Sequence, residues 1–142
     1  MTKPDDEENP DATPILLHPR KRRELFERGQ ALFNDERFYE SHEEWEILWK
    51  LERGRDKIFL QGLIAVAAHF VHLHKRNWSG ARRVASLARE KLTVPPGDPL
   101  YETLDVPPLL SALDYNVSLL AEDEEALTAH SERFLTPRLF HK

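Results

Sequence analysis

The sequence predicts an all-α protein, a compact bundle of five to six helices built on two stacked antiparallel helical hairpins. Three observations predict it. Apolar residues recur three and four apart, the helical spacing, through most of residues 19–134. No stretch alternates apolar and polar residues over the length of a strand. Short groups of Asn, Asp, Gly and Pro separate the periodic segments, as at Asn34-Asp35, Gly54, Asn77 to Gly80 and Pro95 to Pro99.

Residues 1–17 carry Pro4, Pro10 and Pro14 among acidic and small residues and read as a disordered or loosely docked tail. A single α-helical domain follows over residues 18–136, and residues 137–142 form a C-terminal tail. The first helix starts near Pro19, a residue suited to a first turn, and its apolar positions are Leu25, Phe26, Ala31, Leu32 and Phe33. A second helix covers about 36–51, and Gly54 supplies the turn after it. The third, about 57–75, is apolar nearly all round, which marks a central helix covered on several sides. Its polar exceptions Gln61, His69 and His72 share a face with Ile58, Gly62 and Ala65. The fourth, about 79–92, turns Ala81, Val84, Ala85, Leu87 and Ala88 inward. The loop that follows, to Asp105, is long for a compact domain, and such loops often shape a site. Asp105 is a good cap for a helix over about 106–120, with Pro107 or Pro108 in its first turn. A last helix is expected over 122–134, stopped by Pro137 and opened by the acidic run at residues 122–125, which suits a helix start.

Leu25, Gly29, Leu32, Phe38, Ser41, Trp45 and Leu48 follow a large-small-large, tetratricopeptide-like rhythm, loosely repeated around Trp78, Ala81 and Ala85. Any antiparallel helix pair needs small residues where it crosses, so simple hairpin packing explains the same pattern.

The chain has 142 residues, a formal charge of -5 and no cysteine; its pI is about 5.8. Lack of cysteine excludes disulfides, thiolate nucleophiles and Cys-ligated zinc or iron–sulfur sites. It is compatible with a reducing cytoplasm, the expected location. The acidic balance argues against a nucleic-acid binder. The N-terminus is acidic where a secretory signal needs a basic start. The longest uncharged run, residues 58–73, includes Gln61, His69 and His72 and falls short of the roughly 20 residues that span a bilayer, so no membrane role is expected.

The chemistry concentrates in Phe38-Tyr39-Glu40-Ser41-His42-Glu43-Glu44-Trp45-Glu46-Ile47-Leu48-Trp49. At about 100° per residue, Phe38, His42, Trp45 and Trp49 fall on one helix face, with Glu46 at its edge and Glu43 further round. A titratable ring among aromatics needs a hydrogen-bond or charged partner. His42 and Glu46 lie one turn apart, and His69 and His72 have similar spacing. If the two pairs converge, they form a ligand set for Zn, Mn or Fe. Glu43 would then act as general base on a metal-bound water, although the metalloprotease motif ends in His where this chain has Glu46. Without metal, His42 flanked by Glu43 and Glu46 suits acid–base work, with Trp45 and Trp49 walling a slot. Ser41 points along a different direction of the helix, so no Ser–His pair forms.

Two further surfaces stand beside this one. A helical-hairpin groove can read a peptide, with Trp78, Tyr39 and Phe38 as contacts. Arg20-Lys21-Arg22-Arg23, Lys75-Arg76 and Arg82-Arg83 are basic clusters. Lys75 and Arg76 suit a helix C-terminus, but the first cluster sits at an N-terminus, where the dipole disfavours it, and needs another explanation.

The favoured expectation is a binding or accessory module. Tyr39, His42, Glu46, Trp49, Gln61, His69 and His72 would bind a small ligand or metal, or a peptide would dock in the groove. The alternative is a metal-dependent hydrolase. A hydrophobic outer face on the fourth or fifth helix would make the chain a homodimer.

Two ordered blocks carry a family resemblance. The first is Leu32-Phe33-Asn34, Phe38-Tyr39-Glu40-Ser41-His42-Glu43, Glu46 and Trp49. The second is Leu60-Gln61-Gly62-Leu63-Ile64, Ala67-Ala68, Asn77 and Gly80-Ala81. Together they resemble the family known as domain of unknown function 309 over about residues 22–92, and Asp105-Val106-Pro107 to Leu110 resembles its later segment. The resemblance implies a small helical domain and brings no reaction with it. Glu36 departs from the pattern, standing where a small residue is usual, and the acidic tail lies outside it.

Overall fold

The computed structural model describes residues 18–142, so the tail expected over residues 1–17 lies outside the described residues. Seven α-helices are present among the described residues, joined by short connections. They are α1 (Pro19–Asn34), α2 (Phe38–Leu51), α3 (Gly54–His74), α4 (Trp78–Leu92), α5 (Pro99–Glu102), α6 (Pro107–Leu119) and α7 (Glu124–Ala129). A single 3₁₀ turn, Ser131–Arg133, follows α7. The described residues form no strand, only an isolated bridge between Leu104 and His141.

The helix beyond the expected five or six is α5. Asp98 accepts from the Leu100 amide at 2.8 Å and Pro99 takes the first turn, so a start signal is hidden within a proline-rich loop. The last helix stops at Ala129, short of the expected 134, because Phe134 is extended and stacks on Trp78, with centroids 5.7 Å apart. That contact buries Trp78, and Phe38 is buried too, so neither offers the peptide contact expected of it.

Helices α1 and α2 form one hairpin and α3 and α4 another, with α3 packed on α2. The two turns have the same hydrogen bonds. The amides of Asp35, Glu36 and Arg37 reach the carbonyls of Ala31, Phe33 and Leu32; those of Lys75, Arg76 and Asn77 reach Val71, Leu73 and His72. The middle residue of each turn is left-handed: Glu36 at φ 62° and Arg76 at φ 57°. A side chain is strained in that conformation, which glycine adopts freely.

The correspondence extends along the helices with an offset of 40, from Gly29 and Ser41 to His69 and Ala81. In the first hairpin the Ser41 hydroxyl donates to the Gly29 carbonyl at 2.8 Å; in the second the His69 ring meets the Ala81 carbonyl at 2.9 Å. Trp45 fits over Gly29, whereas Ala85 stands at the position corresponding to Trp45. The large partner thus sits on opposite helices of the two hairpins. An offset of 40 is longer than the roughly 34 residues of a tetratricopeptide repeat, so likeness to that motif is not established.

The core is aromatic. Phe26 and Phe33 stack on Trp45, and Phe38 stacks on Phe70 with centroids 4.9 Å apart. Helix α3, 21 residues long, has the length and composition of a membrane span, and over half of its most apolar stretch is buried inside the protein, as expected of a central helix. The segment set apart as a C-terminal tail is docked. Leu139 is buried, its amide donates to Asn34 Oδ1 at 2.7 Å, and its carbonyl accepts from Gln30 and Asn34.

Candidate functional site

The buried stripe of α2 runs through Phe38, Ser41, Trp45 and Leu48. His42 is therefore beside the stripe, not within it: its side chain is 27% exposed. The reason is helical phase. Ser41 is small enough to lie against α1 and bond the Gly29 carbonyl, which rotates the next residue outward.

On this flank His42 Nε2 lies 3.4 Å from Glu46 Oε2. Tyr39, exposed, stacks on the His42 ring at 5.9 Å. Trp49 continues the same face two turns beyond His42, and Lys57 Nζ of α3 sits 4.3 Å from its ring centroid. Gln61, half-buried, lies one turn after Lys57. Two ring nitrogens, His42 Nδ1 and Trp49 Nε1, are enclosed with no hydrogen-bond partner among the described residues. In the tautomer whose Nε2–H faces Glu46, the His42 Nδ1 atom is a lone-pair acceptor, while the indole N–H only donates.

The other expected site residues lie elsewhere. Phe70 packs against α2, and His69, the preceding residue, points about 100° away toward α4 and α6. There it is fully buried, between the Ala81 carbonyl at 2.9 Å and Asn116 Nδ2 at 3.2 Å. That environment selects the tautomer in which Nδ1–H donates to Ala81 and Nε2 accepts from Asn116. Asn116 is itself held by the Leu135 backbone, donating at 2.9 Å and accepting at 2.8 Å. His72 is half-buried, with Nδ1 3.0 Å from Asn77 Nδ2. Glu43 is exposed. The two pairs expected to converge on a metal do not. Among the described residues no group of three or more His, Asp or Glu side chains is placed to hold an ion.

Burial, opposed by the bond to Ala81, lowers the His69 pKa below its usual 6.5. Burial and the nearby Arg83 and Lys75 charges lower His72 as well. The unfolded chain then binds more protons than the folded one just below pH 6.5, so stability falls as pH drops from there through the lowered folded values. Urea unfolding between pH 7.5 and 5 is expected to show this loss, and a His69→Gln variant is expected to show a shallower slope. An unchanged slope would assign the pH response to other groups.

Sequence reasoning missed a second polar cluster. Arg22 grips both Glu52 oxygens at 2.8 Å and Asp98 Oδ2 at 2.5 Å. The Tyr101 hydroxyl donates a short bond to Glu52 Oε2. Asp56 Oδ1 accepts from the amides of Gly97 and Asp98 at 2.7 and 3.1 Å. Burial opposes the Arg22 charge, but Glu52 and Asp98 outweigh it and raise the pKa. Burial, reinforced by the Glu52 charge, pushes the Tyr101 hydroxyl far up, so it stays a donor. Glu52 is only 3% exposed, and the cluster ties the 93–106 loop to the first hairpin. Its signal was the basic run at the N-terminus of α1, where the dipole disfavours a cation. The neighbouring cations are also paired: Lys21 with Glu24 and Arg23 with Glu27, each at 3.7 Å.

Fold and site together define a small all-α domain of two packed helical hairpins, with an aromatic and charged strip on the outer flank of α2. Residues 26–84, which span both hairpins, match the family model described as Domain of unknown function (DUF309), and the chain resembles that family over this stretch. No curated protein and no solved structure matches the chain.

Proposed function

We propose that the protein is a binding or accessory module. The strip of Tyr39, His42, Glu46 and Trp49, with Lys57 and Gln61 beside it, binds a small polar ligand. One observation carries this reading: His42 Nδ1 and Trp49 Nε1 are enclosed on the same helix face with no hydrogen-bond partner among the described residues. An enclosed polar group without a partner costs about 1–3 kcal/mol, and nearly all such groups in folded proteins are bonded. A ligand whose binding turns these side chains outward, and that offers a donor to His42 and an acceptor to Trp49, recovers that cost. The exposed Tyr39 ring offers flat apolar surface for its body. The hydrolase alternative has no observation of its own in its favour, since Glu43 is exposed and, among the described residues, has no three-ligand metal set beside it.

The test uses the indole N–H resonances of the three tryptophans in ¹⁵N-labelled protein, titrated with a panel of small primary amides that includes benzamide and nicotinamide. Members of the panel are expected to shift the Trp49 signal while Trp45 and Trp78 stay in place, and His42→Ala is expected to abolish the shift. A Trp49 signal that no amide moves at millimolar concentration, or that moves equally in His42→Ala, overturns the proposal.

A further inference from the structure

A separate groove of about 370 Å³ opens between the end of α3 and residues 131–136. Its apolar floor is Phe70, Leu73 and Phe134. Its rim carries two nitrogen-rich side chains, His74 and Arg76, and two hydroxyls, Ser131 and Thr136. Glu132 stands on the rim as well, exposed, 3.9 Å from His130. The volume is near the small end of ligand pockets, about 300–1,000 Å³.

Arg76 spends one donor on the Thr128 carbonyl at 3.1 Å, which holds the guanidinium at the groove. The His74 ring is set by an edge contact with Phe38 at 5.5 Å. The turn amides of Lys75, Arg76 and Asn77 bond the last carbonyls of α3, so those oxygens are already satisfied. A guanidinium over an apolar floor, with hydroxyls beside it, suits a carboxylate attached to an apolar body. Glu132 repels a second negative charge.

We infer that this groove binds a small amphipathic monocarboxylate. Its apolar body lies on Phe70, Leu73 and Phe134, and its carboxylate meets Arg76, with His74, Ser131 and Thr136 around it. The site is independent of the α2 strip.

The test is calorimetric titration of the full chain with 4-phenylbutyrate, neutral 4-phenylbutanamide and phenyl phosphate. The carboxylate is expected to bind at least about tenfold more tightly than the amide, the scale of one charge-assisted hydrogen bond. Arg76→Gly removes the cation at a position whose φ of 57° suits glycine, so the variant is expected to stay folded and to lose about tenfold or more in affinity. Glu132→Gln is expected to tighten binding. Equal affinity for acid and amide, tighter binding of the phosphate, undiminished binding by a folded Arg76→Gly, or no binding at all each overturns the inference. Binding that a benzamide titration of the Trp49 signal leaves unchanged keeps this site distinct from the strip.

Discussion

Arg22→Leu is expected to destabilise the protein by about 3–5 kcal/mol, the usual cost of removing one partner of a buried ion pair. Glu52, 3% exposed, would lose both guanidinium bonds and keep the bond from the Tyr101 hydroxyl. Asp98 would lose its bond to Arg22 at the same time, loosening the 93–106 loop. Replacing both Arg22 and Glu52 with Leu is expected to cost less than Arg22→Leu alone, because the stranded carboxylate is then the part-exposed Asp98 and no longer the buried Glu52. The second hairpin already uses the apolar solution. Gly62 and Leu92, 40 residues on from Arg22 and Glu52, pack directly against one another, and a Cβ on Gly62 would lie 2.8 Å from Leu92 Cγ. Urea unfolding of the two single variants and the double variant measures the coupling. Additive losses would mean that the pair contributes little as a pair.

Gly29→Ala is expected to cost about 3 kcal/mol or more, the severe end of overpacking. Intrinsic propensity alone predicts the opposite sign, since Ala in a helix interior is favoured over Gly by about 1 kcal/mol. The added Cβ would fall 2.2 Å from Trp45 Nε1 and 2.3 Å from Cδ1. Trp45 has no room to yield: it is fully buried, donates to the Phe26 carbonyl at 3.1 Å, and is stacked by Phe26 and Phe33. The clashing atoms belong to the pyrrole edge of the indole, so Gly29→Ala should cost less in a Trp45→Phe background than in the wild type. Thermal unfolding of the four proteins decides it; a stabilised Gly29→Ala would refute the close contact.

Much of the helical scheme is legible in the amino-acid sequence. Turns at Asn34-Asp35 and Asn77, first-turn prolines at Pro19 and Pro107, and the all-round apolar character of α3 are local signals, each carried by a few neighbouring residues. The Tyr39, His42, Glu46 and Trp49 strip is legible for the same reason, as one face of one helix. His69 is not. Its spacing from His72 suggests a shared site, but α3 is apolar all round, so periodicity does not say which neighbour each face meets. In sequence, Glu52 and Arg22 read as a turn residue and part of a basic run. Nothing in either segment names a partner 30 residues away, and the third member, Asp98, is further still.

The sequence by itself determined the all-α class, the main helices and the two hairpins. These follow from hydrophobic period and turn chemistry, which act over a few residues of backbone. Only the tertiary structure decided that Ser41 rather than His42 enters the core, and that His69 is spent on Ala81 and Asn116. It also decided that Glu52 is buried under Arg22 and Tyr101, and that Leu139 docks on α1. Each of these depends on how far a helix rotates about its axis and which distant segment fills the space beside it. A shift of one residue in that phase moves a side chain by about 100°, enough to exchange a core position for a binding face.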